Sequence, residues 1–453
     1  MTQSSNLRSG AQILVDQLRI HGVDTAFCVP GESYLATLDA LYDVKENLKL
    51  VICRQEGGVT YMGDAYGKAT GKPGVCFVTR GPGATNASLG VHTAHQDSTP
   101  LILFIGQVGR AMMQREAFQE VDFRQMYAPL CKWVAQINDP ARIPEMVARA
   151  FHVATSGRPG PVVLDVPEDI CHEEYSFTPD DFWVDPATTC IPARRIRPAS
   201  DDVARAAALL AKAKRPLILA GGGIHLSEAW DSLTNFAESF NVPVAHTMSG
   251  KGSISCASEL NAGLFGRYSR IANDLIESSD CLLAVGCKLG EIATKRYDLL
   301  PGNVPLIHLD VLEEELGRTT RAEVALWGDA AVGLDDIAAE LADSATAQKA
   351  ARAGYVAEVP ARMQKWTDEA ADRLLSKEKP IDMRRVMQEL NNYMPADSVL
   401  VADGGFAGVA DAFALLAAVA RSVGSLPREA HAASSRSLRP ELVIRYAASE
   451  MMA

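Results

Sequence analysis

The sequence predicts an α/β protein made of parallel-sheet, three-layer domains, and three features carry that reading. Apolar runs of four to six residues, too brief for typical helices, recur along the chain. Segments of helix length separate them, which is the alternation of repeated βαβ units. Gly- and Pro-bearing turns follow several of the runs, at what becomes the carboxyl edge of a parallel sheet, where ligands bind.

In chain order, Ser9-Gly10-Ala11 leads into a helix through Ile20, with Ile13, Leu14, Gln17 and Leu18 at helical spacing and Gly22 ending it. A strand at 26–29 stops at Pro30-Gly31. Residues 48–53 read as a short buried strand, which puts Glu56 at or just past its carboxyl end. The next helix closes at Lys68-Ala69-Thr70-Gly71-Lys72-Pro73-Gly74, with Gly after basic residues and Pro beyond. A strand at 75–79 follows, and Gly81-Pro82-Gly83-Ala84-Thr85-Asn86 turns into another helix. Further strands are expected at 101–105, 133–137 and 161–166.

Residues 1–171 are thus one domain, and 172–199, aperiodic and rich in Pro and acidic residues, read as a linker crossing the surface. A central α/β domain, 200–340, opens on Ser200 as N-cap before Asp201-Asp202. Its strands fall at 216–220, running into Gly221-Gly222-Gly223, and at 242–245, 281–285 and 304–309. An Ala-rich, charged helical connector takes up 341–380. A helix at 383–393 and a strand at 398–402 open a third domain over 381–408, and 409–453 form a divergent tail.

At 453 residues the chain can bury two or three cores, and 47% hydrophobic with 22% charged residues is ordinary for a globular protein. A net charge of −12 argues against nucleic acid or an anionic membrane as main partner. No apolar run reaches membrane-span length, and the start lacks a secretory pattern. Nine cysteines without a Cys-x-x-Cys pair read as buried or incidental thiols. These features suit a reducing cytoplasm.

Several residues offer chemistry. Glu56 is either a functional carboxylate or a strand-end charge facing the next helix dipole. Gly31 after Pro30 suits close approach to a ligand or a simple turn. Lys132 either meets a substrate carboxylate or is solvated. His92 and His95, three apart on one helix, read as capping or packing groups, since no Cys or carboxylate at matching spacing completes a metal site.

Glu56-Gly57-Gly58, the run Ala69 to Val75 and the turn Gly81 to Asn86 together resemble the pyrimidine-binding domain of thiamine-diphosphate enzymes, and within them the acetolactate synthase large subunits. Val29-Pro30-Gly31, Ala117-Phe118-Gln119-Glu120 and Ser156-Gly157-Arg158-Pro159-Gly160-Pro161-Val162 keep the same order. The resemblance spans residues 8 to 408, strongest before 170. It implies a carboligase or lyase acting on 2-oxo acids such as pyruvate, of the branched-chain amino-acid pathway, working as a homodimer or homotetramer. The alternatives are a 2-oxo acid decarboxylase of benzoylformate decarboxylase type and a noncatalytic remnant with a nucleotide-binding central domain.

By resemblance Glu56 hydrogen-bonds the aminopyrimidine and favours the imino form that removes the thiazolium C2 proton. That role asks for a carboxylate in a dry cleft, where desolvation raises its pKa. Pro30 and Gly31 then flank the substrate end, Pro82 and Asn86 lie by the aminopyrimidine, and Gln119 orients the 2-oxo acid. Arg158, Gly221 and Gly222 resemble flavin-dinucleotide (FAD) positions, although Cys287-Lys288-Leu289-Gly290-Glu291 stands where the family has an Arg-Phe-Asp-Asp-Arg-like segment. The family holds the diphosphate through Mg²⁺ on a Gly-Asp-Gly motif with a downstream Asn. No Gly-Asp-Gly occurs here, and likeness ends after Val401-Ala402-Asp403-Gly404-Gly405-Phe406-Ala407-Gly408. The expectation is a shortened third domain, produced by a changed reading frame or by divergence, with cofactor binding and turnover impaired.

Overall fold

In the computed structural model, residues 7–393 and Pro395 are described, and they form two compact units that divide between Arg194 and Arg195. The expected strand at 398–402, the Asp403–Gly408 turn and the tail lie outside the described residues.

In the first unit the strands are β1 (Leu7–Ser9), β2 (Thr25–Cys28), β3 (Lys49–Ile52), β4 (Gly74–Val78), β5 (Leu101–Gln107), β6 (Trp133–Gln136), β7 (Pro161–Pro167) and β8 (Glu174–Ser176). Its helices are α1 (Gly10–Ile20), α2 (Leu35–Asp43), α3 (Glu56–Thr70), α4 (Pro82–Asp97), α5 (Phe123–Tyr127), α6 (Ile143–Thr155) and α7 (Glu168–His172). Six strands form a parallel sheet in the order β3-β2-β4-β5-β7-β6. One core, with Phe77, Phe104 and Phe151, lies on one face, and a second, with Val78, Leu103 and Tyr127, on the other. Side chains alternate faces along a strand, so the continuous apolar runs of β4, β5 and β7 feed both cores. The direction of strand addition reverses between β2 and β4, and their two carboxyl-end loops flank that switch point.

Local chemistry explains the helix ends. Ser9 caps α1 in a reciprocal box with Gln12. Gly71 ends α3 at φ 71°, its N–H donating to the Gly67 carbonyl.

Three expectations need correction. β3 is not buried but is the sheet edge, with Ile52 58% exposed, because among the described residues no strand pairs with its far side. Residues 172–199 do not simply cross the surface. β8 pairs antiparallel with β1, Phe177 joins the first core, and Gln17 donates to the Trp183 carbonyl at 2.7 Å. Ser200 is the first residue of its helix and makes no cap bond, the N-cap being Ala199.

The second unit contains α8 (Ser200–Lys212), β9 (Pro216–Ala220), α9 (Gly223–Leu226), α10 (Trp230–Phe240), β10 (Val244–His246), β11 (Asn261–Leu264), α11 (Ala272–Glu277) and β12 (Cys281–Val285). It continues with β13 (Leu306–Asp310), β14 (Val324–Trp327), α12 (Ala330–Glu340), α13 (Ala345–Ala351), α14 (Ala353–Leu374) and α15 (Met383–Tyr393). Its parallel sheet runs β11-β10-β9-β12-β13-β14, the doubly wound order of dinucleotide-binding domains, with the switch point between β9 and β12. Arg352 secures the helical layer. Only 2% exposed, it donates to the carbonyls of Ala213 and Phe240 at 3.2 and 2.9 Å, meeting orphan carbonyls at the ends of α8 and α10.

All nine cysteines are free thiols, six of them buried. Among the described residues no helix is long and apolar enough to cross a membrane.

Candidate functional site

The parallel strands of the first unit bring three turns to one edge. Pro30-Gly31 follows β2, Arg54-Gln55-Glu56 follows β3, and Thr79 to Pro82 follows β4. Gln55 caps α3 by accepting from the Gly58 N–H at 2.8 Å, which places Glu56 as the first helical residue. Pro82 is the first residue of α4, where its missing N–H loses no helical bond. One turn farther on, Asn86 donates its side-chain N–H to Glu56 Oε2 at 3.0 Å. Among the described residues no hydrogen bond reaches the other oxygen, Oε1.

Thr79 organises this edge. A Cβ on Gly31 would lie 2.4 Å from Thr79 Cβ, and one on Gly83 would lie 2.7 Å from its Cγ2 and 3.6 Å from Glu56 Oε1. Both glycines therefore let turns close over one threonine, whose hydroxyl also pairs with the Ser33 hydroxyl at 2.8 Å. This packing against Thr79 accounts for the absence of a side chain at Gly31.

Gln119 reaches the same edge from a distant loop. A Cβ on Gly81, itself at φ 59°, would lie 2.7 Å from Gln119 Cβ. Glu56, Pro82, Asn86 and Gln119 thus gather around the carboxyl ends of β3 and β4, with Pro30 and Gly31 on the turn after β2 between those strands. Pro82 and Asn86 are exposed and Glu56 is half-buried. Glu56 is thus less enclosed among the described residues than a dry cleft would make it.

Other candidates have structural duties. Lys132 is exposed, as the solvated reading expects, yet its ammonium is not idle. It curls back to donate to the carbonyls of Val153 and Ser156, capping the end of α6. Arg158 donates to Ser98 Oγ at 2.9 Å and to the His95 carbonyl at 3.0 Å, closing the C-terminus of α4. In the second unit a Cβ on Gly221 would lie 2.1 Å from the Gly286 carbonyl oxygen, and one on Gly222 3.2 Å from Ser249 Cβ. Gly221 thus packs across that switch point and Gly222 against the turn after β10. His92 and His95 are half-buried on α4, and among the described residues no group of His, Cys, Asp and Glu could hold a metal ion.

Sequence reasoning singled out neither Thr79, Ser33 nor Arg80 as separate site residues. Thr79 and Arg80 directly precede the Gly-Pro-Gly turn, but their partners Ser33 and Phe118 are remote in sequence.

A doubly wound parallel sheet whose switch-point edge presents a helix-starting carboxylate braced by an amide defines a ligand-binding α/β domain. Residues 8–126 match the family described as thiamine pyrophosphate enzyme, N-terminal TPP binding domain, and residues 203–337 match thiamine pyrophosphate enzyme, central domain. The chain belongs to the thiamine pyrophosphate enzymes. It is 39% identical over 332 residues to the acetolactate synthase large subunit of Parasynechococcus marenigrum, covering 72% of this chain and 53% of that protein. Over 335 residues it is 35% identical to the probable acetolactate synthase large subunit of Methanocaldococcus jannaschii, covering 73% and 56%. The chain spans about half the length of the curated relatives it matches.

The residues present fit the pyrimidine half of thiamine diphosphate. Glu56 is oriented through one oxygen and has the other available to a ring N–H.

Proposed function

We propose that the first unit is the aminopyrimidine side of a thiamine-diphosphate site in a carboligase of acetolactate-synthase type, with a 2-oxo acid such as pyruvate as donor. The observation that carries this reading is the Asn86–Glu56 hydrogen bond of 3.0 Å at the sheet edge, which leaves Oε1 without a partner among the described residues. When bound, thiamine diphosphate supplies a carbanion equivalent that adds to 2-oxo acids. Glu56 takes a proton-sharing hydrogen bond at Oε1 while Asn86 holds the carboxylate plane. Pro82 and Gly83 keep that side of the site shallow, so a flat ring can approach, and the Gln119 amide orients the acid.

The diphosphate half calls for Mg²⁺ ligands that the described residues do not provide, so a working site draws them from a separate segment or chain. Self-association suits this need. Met62 on α3 and Leu89 on α4, the two helices that start at the site, are 45% and 46% exposed apolar side chains. Sedimentation at low micromolar concentration is expected to show a dimer or tetramer, and Leu89→Asp to shift it toward monomer. A wild-type monomer throughout contradicts this part.

Product analysis tests the activity. With pyruvate, thiamine diphosphate and Mg²⁺, the reading expects acetolactate. Acetaldehyde alone supports a simple decarboxylase. Calorimetry showing no uptake of thiamine diphosphate with Mg²⁺ supports a noncatalytic remnant.

A further inference from the structure

We infer that Arg80 is a positioning residue that sets the direction of Gln119, an inference that rests on the role proposed above for that amide. Arg80 follows β4, and its Nε–H donates to the Phe118 carbonyl at 3.0 Å. Its Nη2 donates to Glu32 Oε1 at 3.1 Å. The first bond fixes the peptide that joins Phe118 to Gln119, and the second ties the same rigid fork to the turn after β2. One guanidinium therefore joins the Pro30-Gly31 turn, the Gly81-Pro82 turn and the Gln119 loop.

The loop needs an outside restraint. Gln114, Glu116 and Gln119 have φ values of 61°, 55° and 63°, a region that residues with a Cβ rarely hold. Within the loop, the Glu120 carboxylate accepts from the N–H groups of Gln114 and Ala117 at 2.6 and 3.2 Å. That makes a closed unit but does not orient it on the sheet. The other bonds into residues 113–120 come from the adjoining chain, with the Met113 N–H donating to the Arg110 carbonyl and Arg115 to the Ala111 carbonyl. Among the described residues, the bond from Arg80 is thus the one that reaches them from a different turn of the sheet edge. Gln119 then rests over Gly81, whose hydrogen in place of Cβ makes the approach feasible.

Arg80 is a poor choice for stability alone. It is 9% exposed, and its Nη1 is buried without a hydrogen-bond partner among the described residues, a desolvation cost without return there. What the residue does achieve is a fixed heading for the Phe118–Gln119 peptide.

Hydrogen exchange on the cofactor-free protein tests the clamp. In Arg80→Lys and Arg80→Met the amides of Gln114, Ala117 and Glu120 are expected to exchange about tenfold faster or more, with α3 and α4 unchanged. Lysine fails to rescue because it lacks the planar fork. Glu32→Gln, which keeps the Nε bond, is expected to exchange like wild type. Unchanged exchange in Arg80→Lys overturns the inference, and that variant with Glu32→Gln carries the test should Arg80→Met not fold. Kinetics give a second arm. Arg80→Lys is expected to lower kcat on pyruvate by about the same factor as Gln119→Ala, with the double variant no worse than either. Fully additive losses overturn a role exerted through Gln119. A wild-type protein that makes no product from pyruvate contradicts the functional reading, while the exchange arm still decides the clamp.

Discussion

The two units share one architecture and differ at their switch points. In the second unit, Gly221 and Gly223 close directly on Gly286, backbone against backbone. In the first unit, Gly31 and Gly83 close on the Thr79 side chain and Gly81 on Gln119, so the edge is built of polar side chains. Asn86 and Glu56 stand beside it, paired with each other and with one oxygen to spare. A parallel sheet supplies a place for chemistry in both units. Whether glycines there are filled by backbone or by side chains decides whether functional groups can be displayed.

Substituting the glycines breaks this comparison most sharply. Gly221→Ala puts a Cβ 2.1 Å from a backbone carbonyl that cannot move aside, and a loss of about 4 kcal/mol in unfolding free energy is expected. Gly81→Ala meets the Gln119 side chain instead, which can give way, so the expected loss is about 2 kcal/mol, with a larger loss of activity. Urea unfolding measures both. Equal losses would mean that the two edges are packed alike.

Acid separates the units as well. Burial pushes the Asp165 carboxyl of the first unit up to about 6, against the Gln136 hydrogen bond that lowers it. A carboxylate raised on folding adds stability that is fully present below its unfolded value near 4 and is lost as pH rises through about 6. Burial pushes His246 of the second unit down to about 4. Its contribution is present above about 6.5 and is lost as pH falls through about 4. Between pH 7 and 4.5, wild type should gain about 1–3 kcal/mol relative to Asp165→Asn and lose about 1–3 kcal/mol relative to His246→Gln. Parallel trends in the two variants would remove the contrast.

Gly22→Ala sets the baseline. Gly22 lies away from both switch points at φ 75° with nothing within 4 Å of its missing Cβ, so only backbone strain is at stake. A loss of about 1 kcal/mol in the same urea measurement is expected.

Much of this was legible in the sequence, for reasons that particular residues make clear. Central strands such as Cys281–Val285 announce themselves because burial on both faces demands an unbroken apolar run. Val324–Trp327 escaped notice because it is short, alternates buried and exposed residues, and lies at an edge. So did Asn261–Leu264, the other edge. Glu56, Pro82 and Asn86 were readable because their turns carry specific motifs. Arg80 was not, since its partners Glu32 and Phe118 lie 48 and 38 positions away, and only the sheet brings them together. Lys132 and Arg158 looked available because the sequence shows a charge but not the helix end it closes.

The central claim is that Glu56, braced by Asn86, activates thiamine diphosphate from the pyrimidine side. Proton NMR of the exchange of the thiazolium C2 proton, with cofactor and Mg²⁺ in excess over protein, tests it directly. Glu56→Gln should keep the fold and slow enzyme-dependent exchange by about 10²–10⁴-fold, the range of a lost general acid–base group. Exchange in Glu56→Gln at the wild-type rate would remove this carboxylate from the mechanism.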